Sequence, residues 1–92
     1  MLKIAVCDDD PIMLDFVSKN AGALLLKNGI EHTIARFLSG TEFLKAHKAD
    51  PFDVVFLDII MPEAGGFDVA KEMRGLFQKT YIIFVTTESS LV

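Results

Sequence analysis

The chain has 92 residues, enough for one domain and too few for two. Hydrophobic residues make up 51% of it and charged residues 24%, which predicts a packed core and excludes a disordered tail. The net charge is −4 and no cluster of Lys or Arg runs along the chain, so we expect this segment to make no direct contact with nucleic acid.

The chain opens with a predicted buried strand followed by a long helix. Leu2–Cys7 is almost entirely apolar, which is typical of a strand covered on both faces. Asp10 and Pro11 suit the N-cap and first residue of a helix, and Asn28 with Gly29 suits its end. The apolar residues expected on the buried face of this helix are Met13, Leu14, Val17, Ala21, Leu24 and Leu25.

A second strand and a second helix are predicted next. Residues 30–38 include the charged Glu31 and Arg36, so we expect an edge strand and not a central one. Residues 39–42 read Ser-Gly-Thr-Glu, a capping box that begins a helix reaching about His47.

The second half of the chain predicts two more strands around a third helix. Asp50 and Pro51 break the chain before a third strand over residues 52–57, and residues 61–66 form a loop. Tyr81–Val85 is a fourth apolar strand. The residues expected on one face of the third helix are Phe67, Ala70, Met73 and Phe77. The alternation of strand and helix predicts an α/β fold with a parallel sheet and right-handed crossovers.

Acidic residues end two of the predicted strands. Asp8 and Asp9 follow the first strand and Asp58 follows the third, so their carboxylates can meet at one edge of a parallel sheet. Oxygen ligands of this kind suit Mg²⁺, which keeps several waters and leaves room for a phosphoryl oxygen. Asp58 stands alone at its strand end and is the best candidate for a carboxylate nucleophile that forms an acyl phosphate. Thr86 ends the fourth strand at the same edge and offers a hydroxyl to the phosphoryl group.

Three motifs resemble the receiver (CheY-like) domain of two-component response regulators, and the resemblance covers the whole chain. The motifs are Val6-Cys7-Asp8-Asp9-Asp10, the Asp-x-x-Met-Pro-x-x-x-Gly spacing from Asp58 to Gly66, and Ile82-Ile83-Phe84-Val85-Thr86. The resemblance implies a flavodoxin-like fold, an open parallel sheet with helices on both faces and strand order 2-1-3-4 for the strands present.

The resemblance also implies a role for each site residue. Asp58 would take a phosphoryl group from a sensor histidine kinase, and Asp9, Asp58 and the backbone carbonyl of Ile60 would bind Mg²⁺ directly. Asp8 would act mainly through water, and Thr86 would hydrogen-bond the phosphoryl group and move with it. The output would be a conformational switch that controls a DNA-binding domain elsewhere in the parent protein. Such a domain is a phosphoacceptor and not an enzyme, apart from slow self-dephosphorylation.

Other features of the resemblance concern the parent protein. Residues 37–44 and 83–86 look most like receivers joined to LytTR-type DNA-binding domains. A receiver continues past Thr86 through a fourth helix, a fifth strand with a phosphate-binding lysine, and a fifth helix. We therefore expect residues 1–92 to be an incomplete receiver domain that lacks the fifth strand and fifth helix. Without the lysine, the phosphorylated state would be less stable. The uncovered fourth strand and first helix would favour a homodimer.

Two other interpretations compete with this one. A haloacid-dehalogenase-like phosphohydrolase would use Asp8 as its nucleophile and Asp10 as its acid/base, with residues 83–86 as a second motif. The chain is too short for that fold, the motif at Asp58 would be unexplained, and Pro11 favours a helix start. The second alternative is a receiver-like interaction module that binds partners without taking phosphate.

Several polar residues have simpler expected roles. Asp10 is expected only to cap its helix, and Cys7 to be a small, inert core residue. His32 and His47 are expected on the surface, because neither has a Cys or acid at metal-binding spacing. One cysteine cannot form a disulfide within the chain, and no apolar run has the length of a membrane span, so we expect a cytoplasmic protein.

Overall fold

A computed structural model of the chain describes residues 1–61, 65–76 and 79–85. Strands and helices alternate along it in the predicted order. The elements are β1 (Leu2–Cys7), α1 (Pro11–Lys27), β2 (His32–Phe37), α2 (Gly40–Ala49), β3 (Val54–Asp58), α3 (Gly66–Leu76) and β4 (Tyr81–Val85). β1 and β4 have their predicted bounds, whereas β2 and β3 each begin two residues later than predicted and α2 runs on to Ala49.

Local hydrogen bonds determine where α1 begins and ends. Asp10 Oδ1 accepts a backbone N–H of the first turn at 3.0 Å, so Asp10 caps the helix as predicted. Gly29, at φ 67°, turns the chain out of α1, and the N–H of Ile30 donates back to a carbonyl of the last turn at 2.9 Å. Because Ile30 still belongs to this helix end, β2 begins only at His32.

The four strands form one parallel sheet in the order β2-β1-β3-β4, which confirms the flavodoxin-like arrangement expected for these strands. Cys7 pairs with Phe37 on one side and with Leu57 on the other, and Leu57 in turn pairs with Phe84. The carboxyl ends of the strands therefore align, and the residues that follow Cys7 and Leu57 emerge at the same edge.

Helices cover both faces of the sheet. α2 and α3 pack on one face, over a buried cluster of Ala5, Cys7, Phe43, Leu44, Val55, Leu57, Met61, Val69 and Met73. Ile4 and Val6 alternate to the opposite face, where α1 contacts β1 and β2, and they are only 2% and 1% exposed. In the part of the chain that the structure describes, no helix has both the length and the apolar character to cross a membrane.

One residue predicted on the buried face of α1 is exposed. Leu24 is 62% exposed, because α1 lies over β1 and β2 and leaves this side chain at the rim of an open groove beside Phe56 and Ile83. Ser18 is buried in α1, and its hydroxyl donates to the Leu14 carbonyl at 2.6 Å. A satisfied serine can therefore occupy a core position that the apolar pattern did not include.

The predicted face of α3 is also partly wrong. Phe67 is 62% exposed, whereas Val69 and Met73 are fully buried against the sheet. Phe67 lies in the first turn and contacts the Phe84 ring at the sheet edge, with ring centroids 5.0 Å apart. Phe77 lies outside the described residues.

His47 is buried, so its predicted surface position is wrong. Its ring stacks on Phe43 with centroids 5.3 Å apart and lies parallel to Phe52 with centroids 6.0 Å apart. Its Nδ1 accepts the N–H of Phe52 at 3.1 Å, which joins the end of α2 to the segment before β3. Burial lowers the pKa of His47, and the charge of Lys3 lowers it further. With its Nδ1 hydrogen-bonded and its ring between two phenylalanines, this imidazole packs as an aromatic core residue.

Candidate functional site

The structure brings Asp8, Asp9 and Asp58 together at the carboxyl edge of the sheet. One carboxylate oxygen from each lies within 4.8 Å of the others. Asp8 and Asp58 are only 3% and 6% exposed, and Asp9 is exposed to solvent. The adjacency of β1 and β3 produces this cluster, since their register sets Cys7 beside Leu57 just before the acids. Thr86, and Pro62 as the proline of the motif that begins at Asp58, lie outside the described residues.

Backbone hydrogen bonds hold the acid from β1 in place. The N–H of Asp8 donates to the Phe37 carbonyl at 3.0 Å, which extends the pairing of β1 and β2 by one residue. Asp8 Oδ1 accepts the N–H of Asp10 at 2.9 Å. This turn directs the chain into α1, and it leaves the Asp8 carboxylate buried at the base of the cluster.

The acid from β3 is held by a similar set of bonds. Asp58 Oδ1 accepts the N–H of Ile60 at 3.3 Å. The N–H of Ile59 donates to the Val85 carbonyl at 3.1 Å, and its carbonyl accepts the N–H of Gly66 at 2.9 Å. The segment after Asp58 is thus attached to both β4 and the start of α3.

Gly66 lies against the backbone of Asp58. A Cβ on Gly66 would lie 2.9 Å from the carbonyl carbon of Asp58 and 3.0 Å from the Cα of Ile59, and nearer still to the Asp58 carbonyl oxygen. A side chain there would displace the backbone that carries the central acid. This explains the glycine in the motif, because only glycine allows the start of α3 to approach so closely.

The side chains of Cys7 and Met61 contact each other through their sulfur atoms in the core next to the acids. The thiol of Cys7 donates to Met61 Sδ at 3.8 Å, and both side chains belong to the buried cluster. Burial is the largest cause that raises the pKa of Cys7 to about 12, and the nearby charges of Asp8 and Asp58 are smaller contributions to the same rise. Cys7 is therefore a protonated core residue, as predicted. The hydrogen bond from Cys7 to Met61 was not predicted. The sequence did contain a signal for it, because Cys7 immediately precedes Asp8 and Met61 lies three residues after Asp58.

The surroundings of Asp8 and Asp58 disfavour the ionised forms of these two acids. Burial is the largest cause that raises the pKa of Asp58 to about 6, and the charges of Asp8 and Asp9 add to it, against the opposing hydrogen bond from Ile60. Burial likewise raises the pKa of Asp8, opposed by the N–H of Asp10. The ion pairs found in the described residues join other acids. A compact set of hard oxygen ligands with this excess negative charge fits a small dication such as Mg²⁺.

Asp10 takes no part in the cluster. Its side chain is exposed and caps α1, and the group of acids within ligand distance contains only Asp8, Asp9 and Asp58 among the described residues. The phosphohydrolase alternative needs Asp10 beside Asp8 as an acid/base. Its hydrogen bond to the N-terminus of α1 gives it a different role.

Comparisons with known proteins agree with this geometry. Residues 4–92 match the family model described as the response regulator receiver domain. The Stress response regulator protein 1 of Scheffersomyces stipitis is 36% identical over 86 residues, covering 91% of this chain and 28% of that protein. The transcriptional regulatory protein CiaR of Streptococcus pneumoniae is 27% identical over 95 residues, covering 99% of this chain and 38% of that protein. The chain thus spans about a third of the length of these curated relatives.

A solved structure shows the same similarity in three dimensions. The BeF3-activated receiver domain of DrrB, an OmpR/PhoB homologue of Thermotoga maritima, superposes with a TM-score of 0.78 at 30% identity. The match covers 100% of this chain and 73% of that domain. Family, fold and arrangement of acids therefore agree, and the chain belongs to the receiver-domain family of two-component response regulators.

Proposed function

We propose that this chain accepts a phosphoryl group on Asp58 from a sensor histidine kinase, with Mg²⁺ as its cofactor. Receiver domains are regulatory phosphoacceptors, and the observation that carries the assignment to Asp58 is its place in the acid cluster. Its carboxylate is buried at a strand end and meets the carboxylates of Asp8 and Asp9 within 4.8 Å.

Each residue has a distinct part in the proposed reaction. Asp9, Asp58 and the Ile60 carbonyl would hold Mg²⁺ directly, with Asp8 acting mainly through water. When bound, the ion neutralises the acids and the phosphoryl oxygens. Asp58 Oδ1 accepts the N–H of Ile60, which favours Oδ2 as the attacking atom in the proposed reaction. An O–P bond to Asp58 forms as the N–P bond to the kinase histidine breaks, and the product is an acyl phosphate. The hydroxyl of Thr86 would donate to the phosphoryl group.

The proposed output is a shift between two conformations that controls a separate DNA-binding domain. Two facts support it: the chain spans about a third of its curated relatives, and one of them is named a transcriptional regulatory protein. Residues 1–92 would act as the receiver unit, in the cytoplasm, with no activity beyond slow self-dephosphorylation. A LytTR-type output domain stays a prediction.

We also propose that two copies of this chain associate through β4 and the groove beside it. Among the described strands, β4 pairs only with β3. The adjoining groove, of about 310 Å³, is lined mainly by apolar side chains of α1, β3 and β4. Sedimentation velocity at tens of micromolar tests this association, and a clean monomer would contradict it.

The intact mass of the chain after incubation with acetyl phosphate and Mg²⁺ tests the phosphoacceptor. We expect one phosphoryl adduct in the parent chain and none in Asp58→Asn. Asp10→Asn is the matched control, because it removes a neighbouring acid that lies outside the cluster and should keep the adduct. An adduct that survives in Asp58→Asn and maps to Asp8 would refute the proposal in favour of the phosphohydrolase chemistry.

A further inference from the structure

The Ile60 carbonyl belongs to the peptide group that joins Ile60 to Met61. A peptide group is planar, so the backbone position of Met61 determines where this carbonyl points. Ile60 is 49% exposed, and its own side chain is not held in the core. Its N–H donates to Asp58 Oδ1 at 3.3 Å, which restrains the upstream side only. The downstream side is restrained by Met61, which is 8% exposed.

The side chain of Met61 rests on β1 directly beneath the acids. Its Sδ accepts the Cys7 thiol at 3.8 Å, and Cys7 is the residue immediately before Asp8. Cys7 is only 1% exposed, and this burial keeps the donor in place. One sulfur–sulfur contact therefore connects the strand end that carries Asp8 and Asp9 with the segment that carries Asp58 and Ile60.

We propose that Met61 is a positioning residue for the cation site, where its buried side chain on Cys7 holds the Ile60 carbonyl as a ligand for Mg²⁺. This inference rests on the proposed function. Mg²⁺ demands near-ideal octahedral geometry at about 2.0–2.1 Å, whereas Ca²⁺ accepts irregular ligands at about 2.3–2.6 Å. Loss of the Met61 contact should therefore weaken binding of Mg²⁺ more than binding of Ca²⁺.

Calorimetric titration of each ion into the unphosphorylated chain tests this role. Met61→Ala should weaken Mg²⁺ affinity by about tenfold, a typical effect of removing a residue that orients a ligand, and should weaken Ca²⁺ affinity by about twofold or less. Met61→Leu should restore Mg²⁺ affinity to within about twofold, because the leucine refills the same space. Met73→Ala is the matched control, since it removes the same side chain from the same buried cluster but from α3, outside the segment that carries Asp58 and Ile60. It should lower the melting temperature in EDTA and leave Mg²⁺ affinity unchanged.

The results that would contradict the role of Met61 differ from the result that would contradict Mg²⁺ as the cofactor. If Met61→Ala binds Mg²⁺ as tightly as the parent chain, or loses Mg²⁺ and Ca²⁺ affinity by the same factor, the positioning role is wrong. If Met73→Ala weakens Mg²⁺ binding equally, the effect is one of general core stability and the role is also wrong. If the parent chain binds no Mg²⁺, the proposed cofactor fails and this inference fails with it.

Discussion

Replacing Gly66 by alanine should disturb Asp58, the proposed phosphoacceptor, through its backbone. The added Cβ would lie 2.9 Å from the Asp58 carbonyl carbon, whereas ordinary contacts begin near 3.4 Å. The start of α3 and the Asp58 backbone must therefore separate by about 0.5 Å or more. The neighbouring atoms are backbone, and Ile59 is hydrogen-bonded to both β4 and Gly66, so this segment cannot yield by rotating a side chain.

The expected effect of Gly66→Ala has two parts, a loss of stability and a slower phosphorylation of Asp58. Overpacking of this kind destabilises by about 1–3 kcal/mol, which is a fall in melting temperature of about 4–8 °C for each kcal/mol in a domain of this size. A displacement of about 1 Å in a reacting group can slow a reaction by about 100-fold, so we expect phosphorylation of Asp58 to slow by about tenfold. Gly75→Ala is the matched control, because it lies in the same helix with nothing within 4 Å of an added Cβ. It should raise stability by about 0.5–1 kcal/mol and leave the rate unchanged.

Thermal unfolding by circular dichroism measures the first part, and the rate of the acetyl phosphate adduct by intact mass measures the second. Both are measured for Gly66→Ala and Gly75→Ala in the same buffer. If Gly66→Ala is as stable as Gly75→Ala and is phosphorylated at the parental rate, the close approach at Asp58 has no role in holding the site.

Three further predictions concern stability in EDTA. Because the pKa of Asp58 rises from 3.8 to about 6 on folding, its ionisation costs stability as pH increases through that range. Asp58→Asn should therefore stabilise the chain by about 1–3 kcal/mol at pH 7, and an equal gain at pH 4 in urea titrations would contradict this cause. The pKa of His47 is lowered, so its contribution is complete above about pH 6.5 and is lost as pH falls. In the Asp58→Asn background, His47 should lower the unfolding free energy by up to about 1.4 kcal/mol per pH unit below that value, and His47→Gln should remove this fall, leaving the opposite slope that the raised pKa of Asp8 gives. Ser39 Oγ accepts an N–H of α2 at 3.1 Å, so Ser39→Ala should cost about 1 kcal/mol in urea unfolding, whereas Thr41→Ala beside it should cost less.

The sequence was sufficient to predict the order of elements because its local signals agree with one another. β1 is an apolar run that is followed at once by three acids, and both α1 and α2 begin with a side-chain cap that the structure contains. The juxtaposition of Asp8 and Asp58 followed from the rule that parallel strands end at one edge. Here a local pattern and a topological rule together were enough to locate the acid cluster.

What the sequence could not predict depends on how helices rotate against the sheet. Leu24 and Phe67 fit an apolar periodicity but lie on the open sides of their helices. His47 looks polar in a sequence, yet its backbone partner and aromatic neighbours make it a core residue. The contact of Cys7 with Met61 joins residues 54 positions apart, and only the packed structure reveals it.

The pairing of β1 with β3 has a consequence for how the domain folds. β1 can pair with β2 after a connection through α1 alone, but β3 must reach β1 from about fifty residues away in the chain. Closing this longer loop costs more entropy. The contacts that it makes join residues far apart in the sequence, and we expect them to form late in folding. Asp8 follows β1 and Asp58 ends β3, so these two acids meet only when β1 and β3 pair. A partly folded chain that lacks this pairing keeps Asp58 apart from Asp8 and Asp9, so cation binding during refolding would report when the sheet closes.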